Sequence, residues 1–327
     1  MATFEETMVT YAQLADIERE FDDVETEIIR QQVQLTQPLY EKRQKIVAQI
    51  PNFWPLVLEQ APADIDEYIQ PSDSALLLNS LTSLSVSHFE IENGGSGDPR
   101  SVSIRFEFKE NEYFEDTVIE KKFWHRRSKG NTTGLVSEPV DIKWKKGKDL
   151  TLGLLSLVKA VWDEEQAGAQ NGAAVAKKDA LTPKQKALKD KIEAVGLGGL
   201  SFFAWLGFIG RRTTAEESRL ANEKERARRE LHKAGGEATS LMDEDDEEDD
   251  EEDDEEEDEN ELEIFPEGDM LALAISDDLW PGAIKYFTQA QGNEDLSDLD
   301  FESGEEDSDV EDALDESPDR PVKKRKA

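Results

Sequence analysis

The chain has 327 residues, 76 acidic against 38 basic, a formal charge of −38 and no cysteine. This excludes disulfide and thiol chemistry, leaves zinc only His and carboxylate ligands, and repels nucleic acid and anionic membrane while attracting basic proteins. The charge is local: residues 243–327 hold 37 of the acids and 6 of the bases, a net of −31, which leaves −7 for residues 1–242.

The first forty-odd residues read as one long helix with an apolar seam. Leu14, Ile17, Phe21, Val24 and Ile28 follow at steps of 3, 4, 3 and 4, and Leu35 continues the series one heptad on. That is the a/d spacing of a coiled coil. A helix over 9–49 would be about 60 Å long at the α-helical rise. Pro38 predicts a kink, and Ile50-Pro51 a stop, because a residue before proline avoids the α region. The seam could lie on the chain's own domain or on a second copy. Its length favours a second copy, because a short globular part cannot cover so long a stripe.

Two short helices are expected next, at 64–69 and 72–81, the second capped by Ser72 with Asp73. The period then changes to alternation. Strands are predicted at 86–92 and 102–108, around the turn at 93–99, then at 117–126 and 140–144 after a polar loop at 128–138. Four consecutive strands with short connections favour an antiparallel meander. A helix is expected over 149–162, capped by Asp149 or Thr151, and a flexible loop over 166–178. Thr182-Pro183 starts another helix that runs to about Val195. The Phe202-Phe203-Ala204-Trp205-Leu206 cluster reads as core. Residues 211–233 read as a helix of mixed charge without a broad apolar face.

Every residue from 243 to 259 is acidic, so this run is expected to stay solvated and extended. Apolar residues return at 262–287, which makes the acidic run an insertion within one domain. A second acidic tail spans 294–319, and the chain ends on Lys323, Lys324, Arg325 and Lys326. After a proline and an acidic tail, that cluster reads as a nuclear import signal. No run of eighteen apolar residues and no N-terminal basic-then-apolar stretch is present in the sequence, so a soluble intracellular protein is expected.

Several stretches together resemble the nucleosome assembly protein (NAP) family, and within it the SET/TAF-I/Vps75-like branch. They are PLYEKR at 38–43, IPNFW at 50–54, FEFKENEYF at 106–114, DIKWKKGKDL at 141–150, SFFAW at 201–205 and DDLWP at 277–281. The resemblance implies an α+β fold: a long dimerisation helix kinked at a proline, plus an "earmuff" of a four-stranded antiparallel sheet with flanking helices. Two copies would form a headphone-shaped homodimer. It also implies a histone chaperone in the nucleus, shuttling to the cytoplasm left open, that binds H3–H4 in preference to H2A–H2B. A histone acetyltransferase is an additional partner the resemblance brings in.

On this reading residues 1–50 are the dimerisation helix, 51–210 and 261–290 the two parts of the earmuff, 211–260 the charged helix and acidic insertion, and 291–327 the tail. Ala204 and Gly207 stand where SET-like proteins carry two threonines, and Asp269-Met270 where they carry an acidic pair. The candidate histone contacts are therefore Glu110, Glu112, Glu267, Asp269, Asp277 and Asp278, with Asp245, Glu248, Asp253 and Glu256 of the insertion. The dimerisation residues are those of the seam. No catalytic, metal or cofactor site is expected: the carboxylates lie in solvated runs, with no dry cleft to split their pKa values. Another reading is a scaffold or regulator that recruits or inhibits a histone-modifying enzyme or a phosphatase, docking through the sheet edge and the 211–233 helix. The lysines at 143, 145, 146 and 148 could contact DNA or pair with the chain's own acids.

Overall fold

The structure, a computed structural model, describes residues 11–170, 181–233 and 261–302. Helix α1 (Tyr11–Val47) passes through Pro38 without ending, and a turn follows at Ile50-Pro51. Helices α2 (Phe53–Glu59), α3 (Ala63–Asp66) and α4 (Pro71–Ser80) lead into the sheet. Asn52 enters α2 at a φ of 56°, a left-handed value that asparagine tolerates better than most residues.

The sheet is the expected antiparallel meander, in the order β1 (Leu81–Ser87), β2 (Val102–Phe108), β3 (Val118–Arg127), β4 (Thr133–Ser137). Two strands differ from the sequence reading. The first lies at 81–87, not 86–92, because residues 88–101 close into a polar loop. There the Glu90 carboxylate takes the Asp98 amide and the Ser101 hydroxyl, both at 3.0 Å. The fourth is Thr133–Ser137, inside the stretch expected to be loop, with Val136 paired to Trp124 and Leu135 to His125. Residues 140–144 are drawn off the sheet: the Val140 amide donates to the Leu206 carbonyl at 2.9 Å, and Trp144 bridges Phe114.

Helix α5 (Leu154–Gln170) extends into the segment expected to be a loop; the rest of that segment lies outside the described residues. Asp149 shapes its entry, accepting from the amides of Thr151 and Gly153. Helix α6 (Pro183–Val195) begins as expected, with Thr182 and Gln185 capping one another. A 3-10 turn (Phe202–Gly207) follows, all of it buried. Helix α7 (Ala215–Lys233) is the mixed-charge helix. Beyond residue 260 come α8 (Gly268–Leu273), a π turn (Ala274–Leu279) and α9 (Ala283–Glu302).

The core lies between the sheet and these helices. Phe123 stacks on Trp205 within it, Phe106 meets Phe202 edge to face and Phe202 lies tilted against Trp205; burial of such rings is the main stabilising contribution. Two buried charges tie the 3-10 turn down. Asp73 at the start of α4 accepts from the Gln70 amide, the Ser201 hydroxyl and the Phe202 amide. It therefore closes the first turn from inside α4, with Gln70 rather than Ser72 in the capping position. Lys121 of β3, fully buried, donates to the carbonyls of Glu138, Leu206 and Phe208 at 2.8–3.0 Å.

Candidate functional site

The long helix has two unlike faces. Toward its own domain it presents charge. Arg19 meets Glu225 of α7 at 3.0 Å, Asp23 meets Arg229 at 2.9 Å, and Asp22 meets Arg100 at 2.9 Å. Arg30 donates to the Gly97 carbonyl. The other face is apolar. Leu14, Ile17, Phe21, Val24, Ile28 and Leu35 are all exposed, Phe21 by 65% and Leu35 by 75%. Leu39 and Ile46 continue the exposed stripe beyond Pro38. The alternating count of 3 and 4 lands on Pro38 and would miss these two by one residue; the helix running on through the proline keeps them on the same face.

The C-terminal third of α1 is anchored to the domain by Arg43. Its guanidinium donates to the Trp280 carbonyl at 2.6 Å and lies over the rings of Tyr40 and Trp280, 4.7 and 4.1 Å from their centroids. Trp54 stacks on Trp280 at 5.4 Å. Burial lowers the Arg43 pKa to about 10, against a smaller raising contribution from Tyr40, so it stays a cation at neutral pH. Residues from 38–43, 50–54 and 277–281 thus meet in one place. Cation–π contacts of this kind add to the hydrogen bond when the group is desolvated.

A ledge of carboxylates forms where α3 packs on the π turn. Glu267 accepts a short hydrogen bond from the Tyr68 hydroxyl. Asp278 accepts from Tyr286 and Asp277 from Ser276, both at 2.8 Å. Asp64 of α3 and Glu67 just past its end lie close enough to raise the Tyr68 pKa, after burial and the bond to Glu267. Burial and the bond to Asp278 push Tyr286 up to about 12. Both tyrosine hydroxyls therefore remain donors, and each of the three acids accepts through one oxygen, its second unbonded among the described residues. Asp64 and Glu67 were missed by the sequence reading. Their signal is the run of acids at 64, 66 and 67 after Pro62, which by itself reads only as helix.

The other predicted residues stand apart. Asp269 is half-buried, accepts the Met270 amide and lines a 310 Å³ cleft beside β4 with Arg126, Phe208, Arg211 and Glu263. Glu110 and Glu112 lie on the β2–β3 loop, where Glu112 faces Lys148 at 3.4 Å. Lys143 faces Asp116, and Lys145 donates to the Asn111 carbonyl, so three of the four lysines of this loop are answered by their own neighbours. Ala204 and Gly207 are buried; a Cβ at 207 would meet Ile264 at 2.7 Å. Asp245, Glu248, Asp253 and Glu256, and the cluster Lys323, Lys324, Arg325 and Lys326, lie outside the described residues.

The sequence profile of the family described as "Nucleosome assembly protein (NAP)" matches residues 47–290. The chain belongs to the nucleosome assembly protein family. A putative nucleosome assembly protein of Schizosaccharomyces pombe is 37% identical over 155 residues, 44% of this chain and 61% of the relative. Protein SET of Drosophila melanogaster is 35% identical over 127 residues, 37% of this chain and 43% of the relative. The chain thus spans roughly half the length of these two curated relatives. A crystal structure of Vps75 superposes with a TM-score of 0.51 at 22% identity, covering 86% of this chain and 98% of that one, an agreement of fold.

Proposed function

We propose that this NAP-family protein is a homodimeric histone chaperone. Two copies pair through the apolar face of α1, and core histones bind at the outward carboxylates and the acidic segments. The observation that carries the reading is the ledge: Glu267, Asp277 and Asp278 are fixed by hydroxyl donors, each with an oxygen left for a basic partner. Many such contacts add up without one deep pocket and are strongly salt-dependent. The net of −31 over 243–327 supplies a long-range field of the same sign, which speeds encounter with a basic protein. The protein binds and releases histones, H3–H4 in preference to H2A–H2B, and carries out no chemistry of its own. Function in the nucleus follows from the partner and from the basic cluster at 323–326.

The family relatives support the same reading by name. Recruitment of an acetyltransferase or phosphatase finds less support. The inner side of α7, one of its two suggested docking surfaces beside the sheet edge, is spent on α1 and β3, where Ser218 accepts the Arg127 amide. On its outer side Arg219 pairs with Glu216 and Glu223.

The test is a salt-resolved titration with H3–H4 and, separately, H2A–H2B. Full-length protein is compared with a variant whose residues 243–259 are replaced by Gly/Ser. The folded surface is expected to keep the preference between the pairs while the affinity falls. No binding of either pair by the full-length protein would refute the reading.

A further inference from the structure

Residues 268–279 form one continuous helical stretch with a buried and an open side. Leu271, Ala272, Ile275 and Leu279 are buried in the core, whereas Met270 and Leu273 are 62% and 43% exposed. Along the open side the order is Glu267, Met270, Leu273, Asp277, at steps of 3, 3 and 4. These steps put Met270, Leu273 and Asp277 on one helical face, with Glu267 at the capping position before it. The wide π turn lies under the last of them, and such turns recur at functional sites. The start of the stretch is fixed by the Trp205 indole, which donates to the Gly268 carbonyl at 2.7 Å.

We propose that Met270 and Leu273 are an apolar anchor for a basic amphipathic helix. Its one or two aliphatic side chains would sit between Lys or Arg residues about one turn away on either side. The inference rests on the histone-binding reading and says how that partner is gripped. Carboxylates alone give attraction that salt screens away. Burial of a methionine and a leucine adds a short-range contribution that salt does not screen, and methionine adapts its shape to varied partners. Charge decides the occupant. A neutral apolar partner would desolvate Glu267 and Asp277 without replacing their hydration. A second copy of this chain would bring the same carboxylates against them.

The experiment uses full-length protein, wild type and Met270→Ser with Leu273→Ser, titrated with H3–H4 at about 0.15 M and about 0.5 M salt. Both side chains are exposed, so the melting temperature should not move, and it is measured as a control. The double variant is expected to bind about tenfold more weakly at both salts, the loss of one large aliphatic burial, with the slope of log affinity on log salt unchanged. If wild type and variant bind equally, the ledge binds by charge alone and the anchor is refuted while the chaperone reading stands. A loss at low salt that vanishes at high salt refutes the anchor as well. If wild type does not bind, the chaperone reading fails and the anchor with it.

Discussion

The two faces of α1 divide the roles of orientation and adhesion. The face toward the domain meets Glu225, Arg229 and Arg100 through ion pairs whose members are mostly part-exposed. Such pairs contribute about 0–1 kcal/mol each and weaken with salt, so they set the angle of the helix rather than hold it. The opposite face carries eight exposed aliphatic or aromatic side chains from Leu14 to Ile46, each worth about 1–2 kcal/mol if its remaining exposed part is covered. A helix placed by charge on one side and left apolar on the other is built to be covered by something outside its own domain.

The largest expected effect comes from breaking the apolar face. Phe21→Asp with Val24→Asp puts two carboxylates into the seam, and light scattering should report monomer or aggregate in place of a dimer. An unchanged mass would remove the seam from the interface.

Next is the anchor between the faces. Arg43→Ala strands the Trp280 carbonyl and opens a space between Tyr40 and Trp280. We expect a loss of about 2 kcal/mol, read by chemical denaturation, and a change below about 0.5 kcal/mol would show that the stack contributes little.

The polar face should be the least sensitive to a single change. Arg229→Ala removes the bonds to Asp23 and Glu225 but leaves Glu225 with Arg19. The expected cost is under about 1 kcal/mol, with faster amide hydrogen exchange along α7. Unchanged exchange there would mean that α7 is held by β3 alone.

A dependence on pH sharpens the contrast between surface and core charge. Burial lowers the Lys121 pKa to about 7, against raising contributions from Glu263 and Glu138. Between that value and lysine's ordinary one the unfolded chain binds more protons than the folded one, so Lys121 makes stability rise with pH from about 7 upward. The penalty of burying the cation is complete below about pH 7. The difference in melting temperature between wild type and Lys121→Met should therefore shift in favour of wild type from pH 6.5 to 9. A constant difference would contradict the lowered pKa.

The long helix, the meander and the core aromatics were legible in the sequence because each rests on a period or a capping pair that needs no distant partner. β4 was not, because Ser128 to Gly134 looks polar and only the pairing of Leu135 and Val136 with β3 shows their place. The first strand slipped for a similar reason: His88 to Glu92 alternates, yet Glu90 turns to cap its own loop. At the candidate site the carboxylates were legible as charge but not as geometry. Nothing local in the sequence says that Tyr68 reaches Glu267, or that Gly207 is packed against Ile264. Met270 and Leu273 looked like core in a run of apolar residues, and only the buried side of the stretch shows that they face outward.

The most direct test of the central claim is the solution mass of the full-length protein at low and at high salt. Pairing through the apolar face predicts twice the chain mass of 36.9 kDa at both, because salt does not weaken apolar burial. A mass of one chain at either salt would contradict it, and the exposed stripe on α1 would then need another partner.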